Sequence, residues 1–493
     1  MSDPREPIVS RVLRLTVAVA GALAIAGYLA IAVKHLRYPY ELEWIEGGMI
    51  DEVARLVAGG KLYVAPSLDY VPFIYGPLWF HVAALFSRVL GVGFFAGRLV
   101  SVLSSIGALA LIARIVHEET RDRSAAIAAA GLFAATYPLA TCIYNLARVD
   151  SLFLVLVLGG LYLVRFRTST TATASAAALF ALAFLTEQSA PIVFGPVALH
   201  LLLTDRRRGI VFAAAGAVIM GGSVLAYNAA SDGWFWHYVI VLPAKHELVK
   251  KMLIQFWIEL FLMLGVAGII GAAYLVIEPR REARSFYFFA AAGMFACGLA
   301  GRLHLGGWSN VLCPTFAMMA LLFGVGIPTL ITRAAKLPEA RARVVVPVVL
   351  LAALLQFGLR AYDPRKILGS KKTAAAWAAL LDTVQKLEGD VYVSAHGWVG
   401  PRVGKRAHAH QMALSDELRG GGTSEVANEF RREVRRALVQ KHFAAIVLDN
   451  PWLPKEQFEQ GYEKKMNVPM RESLAPVIGW QTAQPQTIWV PKP

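Results

Sequence analysis

The chain has 493 residues, of which 56% are hydrophobic and 17% charged, and its mean hydropathy is +0.51. Soluble domains hold about 45–50% apolar and about 25% charged residues, so a soluble enzyme, a disordered chain and a fibrous protein are excluded. The net charge of +15 fits arginine-rich loops beside anionic lipid and gives no reason to invoke nucleic acid.

The first apolar block, 15–33, follows Arg11 and Arg14 as a signal sequence would. It is long enough to span and lacks a small-x-small cleavage site before Lys34-His35, so it reads as a retained anchor. Further spans are expected at about 95–116, 124–143, 150–164, 170–186, 189–204, 210–228, 252–277, 285–301, 311–332 and 343–360. Arginine clusters at 114–123, 165–167, 206–208, 280–284 and 333–343 separate alternate pairs. Placing all of them in the cytoplasm, as the positive-inside rule asks, gives eleven spans with the N-terminus inside and the C-terminus outside. Cys142, Cys297 and Cys313 lie in or beside these blocks and imply no disulfide framework.

The block 74–91 is apolar enough to suggest a twelfth span, but it would export every later arginine cluster. It also carries His81 and Arg88, and an arginine at mid-bilayer costs about 2.5–3.5 kcal/mol. It is therefore expected to lie along the outer interface as an amphipathic helix. A first outer loop at 34–94 follows, within a transmembrane catalytic region 1–360. Residues 361–493 are expected to form a small extracytoplasmic α/β domain. There, 371–387 and 424–440 show helical spacing, 390–394 and 444–448 read as strands, and the proline-rich last stretch reads as irregular.

The polar residues that can carry chemistry gather on the expected outer face. In the first loop, Glu41, Glu43 and Glu46 precede a helical pattern of Met49, Ile50, Val53, Leu56 and Val57 that ends at Gly59-Gly60. A carboxylate at that place can accept a proton from an incoming hydroxyl or bind a metal; it can equally be a carboxylate favoured by the helix dipole. Asp150, in Ala-Arg148-Val-Asp-Ser, stands at the same depth at the start of another span, where Arg148 is also near enough to pair with it. The turn 302–310 reads Arg302-Leu-His304-Leu-Gly-Gly-Trp-Ser-Asn310; its glycines permit close backbone approach to a ligand, and Asn310 can read a sugar hydroxyl. Trp234, Trp236 and Tyr238 fit either a stacking platform or an interfacial aromatic belt. His396, His408 and His410 match no established metal spacing and read as solvated loop histidines.

The order of these features resembles the GT-C superfamily of membrane glycosyltransferases, which includes protein O-mannosyltransferases and the aminoarabinose transferases that modify lipid A. Its fingerprint is an acidic residue soon after the first span, a helix with an Ala-Arg pair, a Lys-Pro-Pro-Leu-like segment and a second acid about a hundred positions on. Here Glu46, Ala54-Arg55, Tyr75-Gly76-Pro77-Leu78 and Asp150 stand at those places. The turn at 302–310 is similar to a His-x-Gly-Gly-x-x-Asn pattern of the same superfamily. The resemblance implies an outward-facing inverting transferase that takes a sugar from a polyprenyl-phosphate donor to a lipid, polysaccharide or protein acceptor. It implies that Glu46 is the base, with Glu43 an alternative on the same loop, and that Asp150 orients the acceptor or holds a divalent metal ion. Metal dependence stays open, since the superfamily contains both kinds. Tyr75 replaces the expected lysine, so the donor phosphate would be held by Arg148, Lys245, Lys250, Lys251 or Arg302. Alanine- and arginine-rich usage suggests a bacterial inner membrane with the tail domain in the periplasm. A flippase for a lipid-linked glycan and a scaffold for an envelope complex remain the alternatives.

Overall fold

The computed structural model describes residues 8–420, 424–449, 455–479 and 483–493. Eleven helices occupy the expected apolar blocks: α1 (Ile8–Leu36), α4 (Phe94–Thr120), α5 (Arg123–Ala135), α6 (Asp150–Phe166), α7 (Thr170–Phe184), α8 (Ala190–Thr204), α9 (Arg206–Ala230), α10 (Met252–Ile277), α11 (Arg281–Leu303), α12 (Cys313–Ala334) and α13 (Glu339–Gly358). Among the described residues seven helices, α1, α4 and α9 to α13, are long and apolar enough to cross a membrane. Between α1 and α4 lie α2 (Glu46–Val57) and α3 (Leu78–Leu90). With 13 residues, α3 is well short of the roughly 20 that a span needs.

One end of the bundle carries the arginines. Its tight turns begin with short polar caps: Asp122 accepts from Ala125 N at 3.0 Å, Ser169 from Ala172 N at 3.1 Å and Asp205 from Arg208 N at 3.1 Å. A buried ion cluster closes this end. The Glu119 carboxylate takes Arg165 through Nε at 2.8 Å and Nη2 at 3.0 Å, Arg280 at 2.8 Å and the Tyr287 hydroxyl at 3.3 Å. In the middle of the bundle small residues let backbones meet. A Cβ on Gly131 of α5 would lie 2.2 Å from the α-carbon of Gly21 in α1, so this crossing admits only glycine.

The other end carries the long loops and the tail. The tail begins with α14 (Lys371–Lys386) and contains β1 (Val391–Val393), α15 (Gln411–Gly420), α16 (Glu425–Val439) and β2 (Ala445–Leu448). The stretch expected to be irregular instead contributes two strands, β3 (Tyr462–Asn467) and β4 (Thr487–Pro491). The sheet order is β1-β2-β4-β3, with β1 and β2 parallel and the other two pairs antiparallel. The proline-rich segment is thus the return path between an edge strand and its neighbour, and its prolines lie largely outside the ladder.

The tail histidines are not solvated. His396, His408 and His410 are all buried. His410 Nε2 donates to Ala395 O (2.8 Å) while its Nδ1 accepts from Met412 N (3.1 Å), and burial lowers its pKa to about 4. His408 meets Asp390 at 2.9 Å, and His396 is held between Glu41 and Asp449. Each partner is remote in sequence or hidden by folding, so an exposed reading of the loop could not have found it.

Candidate active site

The first loop is pinned by Glu46, the first residue of α2. Its carboxylate is fully buried and accepts four hydrogen bonds: Arg98 Nε at 2.9 Å, Arg98 Nη2 at 2.7 Å, Leu42 N at 2.9 Å and Ala147 N at 2.8 Å. Arg98, on α4, spends its other guanidinium donors on the carbonyls of His35 (2.8 Å), Tyr38 (2.7 Å) and Tyr40 (2.7 Å). All five donors of its fork are thereby used. Burial disfavours the charged carboxylate, but Arg98 and the N–H bonds outweigh it and hold the Glu46 pKa below its ordinary value. With every acceptor position filled, Glu46 has no lone pair free for a substrate proton. Glu46 ties the first loop to the turn before α6, and so sets where Glu43 and Arg148 meet.

Those two form the centre of a buried cluster. Arg148 Nη1 lies 3.2 Å from Glu43 Oε2, and Nη2 donates to the Tyr75 hydroxyl at 2.9 Å with the guanidinium 5.5 Å from the Tyr75 ring centre. Its Nε is 3.9 Å from Asp150 Oδ2, and Asn310 Nδ2 donates to Asp150 Oδ1 at 3.2 Å. Five of the expected residues, Glu43, Tyr75, Arg148, Asp150 and Asn310, are thus brought together from the first loop, the α6 start and the turn before α12. Arg148 Nε and Asp150 Oδ2 are buried yet make no hydrogen bond. These two atoms face each other across 3.9 Å, too far for a hydrogen bond, so each keeps capacity for a further partner.

A fourth wall comes from the turn between α7 and α8. Here Glu187 accepts from Ser189 Oγ at 2.9 Å, and Leu185 O accepts from Leu78 N at 2.8 Å. A Cβ on Gly76 would fall 2.2 Å from Leu185 O, which explains the glycine in Tyr75-Gly76-Pro77-Leu78. Sequence reasoning missed Glu187 as a site residue, although Glu187-Gln188 was visible as the one polar break in 170–204. It also missed Arg98, whose signal was a lone arginine just inside an apolar span.

The electrostatics follow from three carboxylates around one arginine. Burial pushes Glu43 up to about 7 against the pull of Arg148, with Glu46 adding to the rise. Burial, reinforced by the Asp150 charge, pushes Glu187 to about 7 as well. Burial also raises the Tyr75 phenol, which stays a neutral hydroxyl.

Other expected residues lie elsewhere. Arg302 Nη2 bridges both Glu259 oxygens at 3.0 and 2.9 Å, and Nη1 donates to Gly307 O, so its charge is already matched. His304 pairs with Leu248 in an isolated bridge, which docks the 245–251 segment on the turn. Lys245, Lys250 and Lys251 are exposed on that segment. A Cβ on Gly307 would meet Gly301 O at 1.9 Å, so this glycine serves turn closure rather than ligand approach. Tyr238 is buried against Tyr63, whereas Trp236 is exposed. A divalent metal ion does not fit the donor set: the cation between Glu43 and Asp150 is the Arg148 guanidinium, and no group of three or more metal-ligating side chains exists among the described residues.

The chain is similar to known proteins in one segment and in its fold. The family of dolichyl-phosphate-mannose-protein mannosyltransferases matches residues 72–234, which hold Tyr75, Arg148, Asp150 and Glu187. The fold is similar to that of ArnT from Cupriavidus metallidurans bound to undecaprenyl phosphate (TM-score 0.58, 13% identity), covering 95% of this chain and 97% of that one. The apo form of the same protein matches with a TM-score of 0.57 at 13% identity over the same shares. The archaeal oligosaccharyltransferase AglB from Archaeoglobus fulgidus, in complex with an inhibitory peptide and a dolichol-phosphate, matches with a TM-score of 0.53 at 12% identity, over 90% of this chain and 70% of that one. No curated protein matches by sequence. Over residues 72–234 the chain is thus similar to that mannosyltransferase family, and its fold is similar to those of the membrane proteins ArnT and AglB.

Proposed function

We propose that the chain transfers a monosaccharide from a polyprenyl-phosphate donor to a hydroxyl of a cell-envelope lipid, glycan or protein. The single observation that carries this reading is the buried Glu43–Arg148–Asp150 cluster. The ArnT and AglB structures, which hold undecaprenyl phosphate and dolichol-phosphate, support a lipid phosphate as the donor group.

In this reading Glu43 takes the proton of the acceptor hydroxyl as its oxygen attacks the anomeric carbon. The bond from that carbon to the phosphate oxygen breaks on the opposite side, and the lipid phosphate leaves with the electron pair. Attack opposite the leaving group inverts the anomeric centre. A base with a pKa near 7 is matched to this work at neutral pH. Arg148, fixed by Tyr75, supplies the positive charge that Tyr75 itself lacks as the phosphate gains charge. Asp150 and Asn310 orient the acceptor, with Glu187 close enough to feel the charges of Asp150 and Arg148. The site faces the periplasm of a bacterial inner membrane, with the N-terminus and the arginine-rich turns in the cytoplasm.

The test uses the purified full chain in nanodiscs with a panel of radiolabelled undecaprenyl-phosphate hexoses and pentoses. One donor should be consumed by wild type, even slowly to water, and spared by Glu43→Gln at unchanged fold. Binding without turnover across the panel would instead favour a flippase or scaffold.

A further inference from the structure

We propose that His396, in the tail sheet domain, is a positioning residue for Glu43, so that the tail is a working part of the active site. The inference rests on the reading of Glu43 as the base.

The segment that carries Glu43 has an anchor on either side. Downstream, Glu46 is saturated by Arg98 and backbone donors. Upstream, Glu41 is held from the tail: its Oε1 meets His396 Nδ1, and its Oε2 accepts Trp398 Nε1 at 2.5 Å. The far side of the imidazole, Nε2, meets Asp449 Oδ2 at 2.8 Å. Glu41, His396 and Asp449 are all buried, and Glu41 and His396 stand 355 residues apart. Only an imidazolium has an N–H for each carboxylate, because a neutral imidazole donates from one nitrogen alone. Burial opposes that charge, but Asp449 and Glu41 together raise the His396 pKa well above its ordinary value.

The tail also touches Glu43 itself. Ile478 N donates to Leu42 O at 3.0 Å, and Gly479, at φ +83°, packs so that a Cβ would lie 3.2 Å from Glu43 Cγ. On the other flank, a Cβ on Gly47 would meet Trp398 Cδ1 at 2.2 Å. Residues 41–47 are therefore clamped between α4 and the tail, and the Glu43 side chain has a tail backbone against its stem. A base shifted by about 1 Å loses on the order of 10²-fold in rate, so such a clamp acts on kcat.

The experiment compares His396→Asn, Trp398→Phe and Gly479→Ala with wild type and Glu43→Gln, in the full chain, on the undecaprenyl-phosphate sugar that wild type consumes. His396→Asn should lower kcat about 10–100-fold with donor KM held within about 3-fold, and displace the midpoint of the kcat–pH profile. Gly479→Ala should act in the same direction. Wild-type kcat in His396→Asn beside an inactive Glu43→Gln overturns the inference alone, as does a fall in kcat matched by an equal rise in KM. An active Glu43→Gln overturns the underlying reading of Glu43. If His396→Asn fails to fold, Trp398→Phe decides: reduced kcat at unchanged KM supports the clamp, and unchanged kcat overturns it.

Discussion

The two ends of the bundle each bury carboxylates against arginine, and they differ in how completely the valences are met. At the arginine-rich end, Glu119 is surrounded by Arg165, Arg280 and Tyr287, and none of the buried polar atoms of these four residues lacks a hydrogen bond. At the loop end Glu43, Asp150 and Glu187 share Arg148, with Arg148 Nε and Asp150 Oδ2 unpartnered. The first arrangement is a staple, and its opening would cost about 3–5 kcal/mol. The second holds surplus negative charge in a dry place, which raises pKa values and leaves polar groups ready for a ligand. Burial of charge alone therefore says little about function; the unmet valence is what distinguishes a site from a staple.

The contrast can be broken most sharply at Glu43. Glu43→Gln should cut turnover about 10²–10⁴-fold with thermal stability near wild type, measured by donor consumption and by thermal unfolding in the same nanodiscs. Arg98→Leu should act the other way. It leaves Glu46 and three carbonyls without their donors, so about 3–5 kcal/mol of stability should go, read as loss of folded protein on size-exclusion chromatography.

Gly76→Ala tests the fourth wall. The new Cβ must move Leu185 O, at a cost of about 1–3 kcal/mol in stability, with reduced turnover if the Tyr75 hydroxyl moves off Arg148. The pH dependence gives a smaller, graded effect. Turnover should rise with pH up to about 7 as Glu43 loses its proton, then level. The same titration opposes stability. A carboxyl whose folded pKa is raised stabilises the fold below its unfolded value, and that contribution is lost as pH rises through about 7. Smallest of all, a charge-reversing change at exposed Arg284, at the arginine-rich end and away from the Glu43 cluster, should leave turnover within about 2-fold.

Much of this architecture was legible in the sequence. Apolar blocks between arginine clusters placed the eleven helices, because lipid demands long apolar runs and the turns between them are too short to hide. Loop position also gathered Glu43, Arg148, Asp150 and Asn310 on one expected face, since polar residues at helix ends stand out against an apolar background, and the family resemblance marked Tyr75. The division of labour between Glu43 and Glu46 was not legible. It depends on Arg98, which lies 52 residues after Glu46 and reaches it only through the packing of α4 on the first loop. Nor was the burial of His396, whose two carboxylate partners come from opposite parts of the chain. The strands β3 and β4 were hidden for a different reason: β3 is a charged, exposed edge with a single buried residue, so no alternation of apolar side chains announces it.

The central claim is that two glutamates three residues apart have opposite jobs, and one paired measurement tests it: turnover and unfolding temperature of Glu43→Gln and Glu46→Gln in the same nanodisc preparation. The account predicts a stable, inactive Glu43→Gln and a destabilised Glu46→Gln, with an amide left facing Arg98. A stable, inactive Glu46→Gln beside an active Glu43→Gln would contradict it and make Glu46 the base.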